Sequence, residues 1–136
     1  MTPRQSQRIS VPRAKSRSYA EVADNFFKGA EVAKGFEYWN AAGVLIVHSA
    51  IAFTDAITIK VGGVKSRGED HMAAVDLLGE VIVLDEKGQG ALRHLTTILE
   101  QKTLVSYSGE IYTHKEVERL WKHLERYKSW AHSLLS

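Results

Sequence analysis

The sequence contains no cysteine, which excludes disulfides, thiolate metal sites and cysteine nucleophiles. Proline is nearly absent as well: Pro3 and Pro12 are the only two, and both lie within the first 17 residues. Acidic residues are missing from that same stretch, which holds Arg4, Arg8, Arg13, Lys15 and Arg17. It also lacks aromatic residues and periodicity, so residues 1–17 read as a flexible basic arm, separate from a domain over 18–136. No apolar segment follows the basic start, so no secretory signal is read and a cytoplasmic location is expected.

Charge is missing a second time, from Tyr38 through Thr54, within the apolar run Tyr38 to Val61. A helix apolar on nearly every side lies at the centre of a bundle or spans a membrane. Asn40, His48, Ser49, Thr54 and Asp55 interrupt the run, so it reads as the buried central helix of a bundle, with no membrane role. At 44% hydrophobic and 25% charged residues, the 136-residue chain suffices for one domain with a real core.

Around this run the pattern is helical. Ser18-Tyr19-Ala20-Glu21 has capping-box spacing. Tyr19, Val22, Ala23, Phe26, Phe27, Ala30 and Ala33 then recur at three- and four-residue steps, with Gly35 as the expected C-terminal cap. After Gly62-Gly63, Ser66-x-x-Glu69 predicts the start of a third helix with Met72, Val75, Leu78 and Val81 inward. Val81 to Leu84 is expected to be its frayed end or a linker, because no second strand is seen to pair with it. Asp85 to Gly90 reads as a turn. A fourth helix through Leu92, Leu95, Ile98 and Leu99 is expected to reach the region of Tyr107-Ser108-Gly109. Thr113-x-x-Glu116 then caps a last helix whose stripe is Val117, Leu120, Trp121, Leu124, Tyr127, Ala131, Leu134 and Leu135. The fold expected is all-α: an up-and-down bundle of about five helices.

The order of these features resembles the HEPN family of small helical bundles. The resemblance is carried by the aromatic first helix leading through Gly35-Phe36-Glu37-Tyr38-Trp39-Asn40 into an alanine-rich helix with His48 and Asp55-Ala56-Ile57. It continues through the Gly-rich loop, His71, Leu99-x-x-Lys102, Tyr107-Ser108-Gly109 and Trp130-Ala131. What the resemblance implies is either metal-independent RNA cleavage by an Arg and a His four to six residues apart, or a non-catalytic partner module. In the second case a homodimer and a nucleotidyltransferase or antitoxin partner are implied. Here His114 has no Arg before it at that spacing. The Arg126-x5-His132 match lies within one helix, where six residues turn the side chains about 120° apart and about 9 Å along the axis.

The residues themselves offer further candidates. His48 and Asp55 lie about 10.5 Å apart on one stripe of the central helix. With His71 they are the ligand-groove candidates, against the simpler reading of core polar residues satisfied by neighbours. Lys60, Lys65 and Arg67 form a small basic cluster suited to weak contact with RNA or a nucleotide. Val61 to Gly68 matches neither phosphate-binding fingerprint. Trp121, Tyr127, Tyr112 and Trp130 could stack on bases, but the first two fall on the apolar stripe, while Trp130 lies off its centre and suits a dimer interface. No residues stand at metal-ligand spacing, and no cofactor is expected. The reading is a non-catalytic HEPN-like binding or partner module. The alternatives are an endoribonuclease with an atypical site at His114, Arg126 or His132, and a bundle tethered to nucleic acid by its basic arm.

Overall fold

The computed structural model describes residues 8–67, 71–101 and 108–136. Its centre is α2 (Trp39–Gly62), which the first, third, fourth and last helices all contact. α1 (Ser16–Gly35) runs back along α2, and Ala23, Ala30 and Ala33 are its buried residues on that interface. Small side chains on both helices, Ala42, Gly43, Ser49 and Ala50 on α2, bring the two backbones close. Ser49 Oγ donates to the Ala23 carbonyl at 2.9 Å and joins them. α3 (His71–Val81) contributes Val75, Leu77 and Leu78; α4 (Glu86–Leu99) contributes Leu95, Ile98 and Leu99. α5 (His114–Leu135) buries Val117, Leu120, Trp121, Leu124, Tyr127 and Ala131, the expected stripe, while Leu134 is exposed. The fold is an all-α bundle, with five α-helices among the described residues.

α2 is long and apolar enough to cross a bilayer, but 78% of its most apolar 18-residue window is buried by the surrounding elements. Its polar groups are answered internally. Thr54 Oγ1 bonds to the Ala50 carbonyl at 2.8 Å and to the Tyr127 hydroxyl at 2.5 Å, and Thr58 Oγ1 donates to the Asp55 carbonyl. Burial raises the Tyr127 hydroxyl far above the ordinary tyrosine value, keeping it neutral.

The helix ends differ from the sequence reading in several places. α1 starts at Ser16, not Ser18: Ser16 Oγ, buried, donates to the Ala56 carbonyl at 2.8 Å, and Ser18 instead donates back to the Lys15 carbonyl. Its C-terminal cap is formed two residues beyond Gly35. The Tyr38 amide donates to the Ala33 carbonyl and the Glu37 amide to that of Lys34, a Schellman pair with Glu37 left-handed at φ 61°. α4 begins where a turn was read, because Asp85 accepts from the Gly88 amide at 2.8 Å and converts the glycine-rich stretch into a capped first turn. Thr113 and Glu116 form the expected capping box. Val81 ends α3, and Val83, 97% exposed, lies in the linker that follows. Glu69 of the Ser66 capping box, and residues 102–107 of the expected fourth helix, lie outside the described residues.

The basic arm is shorter than its composition suggested. β1 (Arg8–Ser10) pairs antiparallel with β2 (Val64–Ser66), Arg8 opposite Ser66, and Arg8 also forms an ion pair with Glu80 of α3. A 3-10 turn at Arg13–Lys15 leads into α1. The pairing starts at the α2 C-terminus, where Gly63 adopts φ 65° and its carbonyl accepts from the Val11 amide at 2.8 Å.

Two substitutions check this account. Phe53 is fully buried, so Phe53→Ala should cost about 3–5 kcal/mol in chemical denaturation, whereas Val83→Ala should stay within about 0.5. Glu37→Gly relieves a left-handed side chain and should raise stability by about 0.5–1 kcal/mol. A loss at Glu37→Gly would show that the α1–α2 turn is not the Schellman geometry described.

Candidate functional site

The three groove candidates do not line one groove. His48 is exposed on α2, its ring 5.7 Å from that of Phe26 in α1. Asp55 is buried further along the helix and faces Lys65 of β2, Oδ2 to Nζ 3.8 Å. His71 opens α3, and its side chain lies outside the described residues. Nor do the basic candidates act together. Lys60 donates to the Leu134 carbonyl at 2.9 Å, Lys65 also lies over the Tyr19 ring at 5.3 Å, and Arg67 is exposed beyond β2. Two of the three cations therefore bind the protein's own groups.

Asp55 has a measurable consequence of its own. Burial pushes its carboxyl up from 3.8 to about 6, with Lys65 opposing the shift. The folded chain thus holds this proton more tightly than the unfolded chain. The resulting stabilisation is complete below about pH 4 and is lost as pH rises through about 6, a span worth about 3 kcal/mol. Asp55→Asn should match the parent near pH 4 and exceed it by about 2–3 kcal/mol near pH 8, read from urea denaturation at both values. Equal stabilities at both would show that the carboxyl is solvated.

The residues weighed for catalysis are also apart. His114 at the start of α5 lies against Trp39, ring centroids 5.1 Å apart, with Glu118 Oε1 3.7 Å from its Nε2. His132 Nε2 is 3.1 Å from Asp24 Oδ1 of α1, and its ring meets the edge of Phe53. Arg126 is exposed and stands about 120° around α5 from His132. The aromatic residues are mostly structural: Tyr112 is buried and donates to Gln101, while Trp130 is partly buried against Tyr127.

What the structure does assemble, and sequence reasoning did not single out, is a histidine pair across α4 and α5, with exposed arginines on the same two helices. Leu95, Ile98 and Leu99 of α4 pack toward Leu120, Leu124 and Tyr127 of α5, and His94 and His123 stand where this apolar seam meets solvent. Their Nδ1 atoms are 2.8 Å apart, so one ring donates a proton and the other accepts it. Arg119, His123 and Arg126 fall at i, i+4 and i+7, one stripe of α5, and Arg93 precedes His94 on α4. Burial holds both imidazoles below the ordinary histidine value. His94 is lowered further by His123, Arg126 and Arg93, and His123 by Arg119 and Arg126. The three arginines are exposed, and none forms an ion pair among the described residues. Arg93 also borders an open groove of about 470 Å³ along α4, lined by Gln89, Leu92, Thr96 and Thr97. Among the described residues no three metal-ligating side chains converge.

The chain matches no family model, no curated protein and no solved structure. The HEPN resemblance remains a reading of the sequence motifs.

Proposed function

We propose that this bundle is a non-catalytic HEPN-like binding module that holds a phosphate-bearing ligand, a nucleotide or single-stranded RNA, at the α4–α5 seam. The observation that carries this reading is the His94–His123 contact on α4 and α5, whose helices also bear Arg93, Arg119 and Arg126, exposed and in no ion pair among the described residues. Guanidinium forks match phosphate oxygens in pairs, and exposed arginines can turn toward one. The two imidazoles face each other through Nδ1 and so do not flank a phosphate as a separated base and acid would. That geometry supports binding without turnover. A homodimer or a protein partner accompanies this reading; exposed Phe36 and Tyr38, stacked 6.0 Å apart at the α1–α2 turn, favour such an association.

One observation favours a second reading, the endoribonuclease. Two imidazoles beside arginines supply the groups that metal-independent cleavage uses, once the rings part around a substrate. A single set of assays separates the two. A short RNA should bind saturably, with log K falling against log salt at a slope of about −2 for three phosphate contacts on a single strand. Arg126→Ala should weaken binding about tenfold, the loss of one charge-assisted hydrogen-bond pair. The RNA should be recovered intact. Salt-independent binding, or binding unaffected by Arg126→Ala, would refute the site. Cleavage abolished by His94→Asn or His123→Asn would establish the second reading in place of the first.

A further inference from the structure

We infer that His94 and His123 form a two-imidazole clamp for a divalent cation of the zinc class, held between α4 and α5 through their Nδ1 atoms. The inference stands apart from the phosphate reading, and its test uses the metal alone.

The geometry of the contact points to it. The Nδ1 atoms are 2.8 Å apart, the ring centroids 5.1 Å apart, and the ring planes 52° from parallel. Two imidazoles on one tetrahedral cation, each nitrogen about 2.0–2.1 Å from it, hold their donor atoms about 3.3 Å and their ring centres about 5.2 Å apart. The centroids therefore already stand at the separation of a zinc pair. Turning each ring by about 35° aims both Nδ1 lone pairs at one point beside the contact instead of at each other. A square-planar ion, with neighbouring donors at right angles, needs ring centres about 4.5 Å apart, and the two helices would have to close up.

The exchange is balanced in protons and bonds. In the metal-free pair one ring carries its hydrogen on Nδ1 and donates it to the bare Nδ1 of the other. When zinc enters, the donating ring gives up that hydrogen and gains one at Nε2 through solvent. Both rings are then neutral Nε2–H tautomers with Nδ1 on the metal. One N–H···N bond is lost, two N–Zn bonds form, and no net proton is released.

The two rings come from fixed places. His94 and His123 each precede a buried leucine, Leu95 and Leu124, and Ile98, Leu99 and Leu120 join these in the core. Donors carried on packed helices need little organising when the metal arrives. No third metal-ligating side chain joins them among the described residues, which leaves two of zinc's four positions to water or to a donor on another molecule. The site is thus open and exchangeable, unlike a closed structural zinc centre. Arg93, Arg119 and Arg126 on the same helices are exposed, where solvent and salt screen their charge from the cation.

The test titrates the metal-free full chain with zinc chloride by isothermal calorimetry. One zinc per chain is expected to bind, with Kd about 10 μM. Magnesium, which prefers oxygen donors, should give no saturable heat. Saturating zinc should raise the melting temperature by several degrees, because the unfolded chain, with these histidines 29 residues apart, holds no such pair. His94→Gln and His123→Gln keep a polar side chain but lose the imidazole donor, and each should weaken zinc binding about tenfold or more. His132→Gln, whose partner is Asp24, should stay within about twofold of the parent. Absence of saturable zinc binding, or an affinity unchanged in either His94→Gln or His123→Gln, overturns the clamp; the phosphate reading, tested with RNA, is untouched by that result. If circular dichroism shows a variant unfolded, nitrogen-resolved spectra of the parent's imidazoles decide instead. Zinc should produce a coordinated Nδ1 and a protonated Nε2 on both rings. A coordinated Nε2 on either ring, or rings unchanged at saturating zinc, overturns the clamp.

Discussion

α2 is surrounded, and every other part of the structure answers to that. A helix with no charged residue from Trp39 to Thr54 has little to offer water, so helices cover most of it and leave only a strip with Ala41 and His48 open. Covering it this closely requires small residues where α1 lies and large ones where α4 and α5 lie, and the chain provides both. Burial also obliges each polar atom on α2 to find a partner inside the protein. Ser49, Thr54 and Thr58 find carbonyls, and the side chain of Ser16 comes in from α1 to bond the Ala56 carbonyl. These bonds are directional where apolar contact is not: Ser49 and Ser16 fix the register of α1 on α2, and the Thr54–Tyr127 hydroxyl pair that of α5. Asp55 is the exception that shows the rule: its carboxylate is buried with a single cation at 3.8 Å, and its proton affinity rises accordingly.

With α2 enclosed, chemistry is left to the periphery. α4 and α5 meet along an apolar seam that continues the core outward, and at its rim the next residues on each helix are histidines and arginines. Both rings are anchored by helices whose buried faces are set by Leu95, Ile98, Leu120 and Leu124. The site thus has a rigid floor, and only the guanidiniums around it are free to adapt.

How much of this could be read from the sequence depended on how far apart the deciding residues are. The central helix, the α5 stripe and the Thr113 capping box announce themselves within a few residues. Each is a local pattern, and each is present. The ends of α1 and α4 were misread because composition and tertiary context disagree there. Asp85-Glu86-Lys87-Gly88-Gln89-Gly90 has the glycines of a turn, yet one aspartate side chain on the Gly88 amide makes it a helix start. Ser18 has better capping spacing than Ser16, but Ser16 has the Ala56 carbonyl. The β1–β2 pair carries no period at all, since three residues in each strand are too few to show one. The histidine pair is 29 residues apart in sequence, on two helices, and matches no motif. The one available clue was the i, i+4, i+7 run of Arg119, His123 and Arg126, a basic stripe that leaves the apolar one by about a quarter turn. An Arg and a His within six residues mark a single helix, whereas the His94–His123 contact is made across two.

The ribbon that joins β1 to β2 bears on the order in which the chain assembles. Its partners are about 60 residues apart, so closing that loop early would sacrifice chain entropy for a few backbone hydrogen bonds. The α1–α2 hairpin closes over a three-residue turn and can form first. Once it has, Ser16 and Gly63 are already neighbours through Ala56 and the α2 C-terminus, and most of the loop cost has been met by contacts made for other reasons. The ribbon is then a late clasp on a finished hairpin. It is also the first part to come undone: a small, solvent-facing unit whose opening leaves the core intact, so its amides would exchange with solvent long before those of α2.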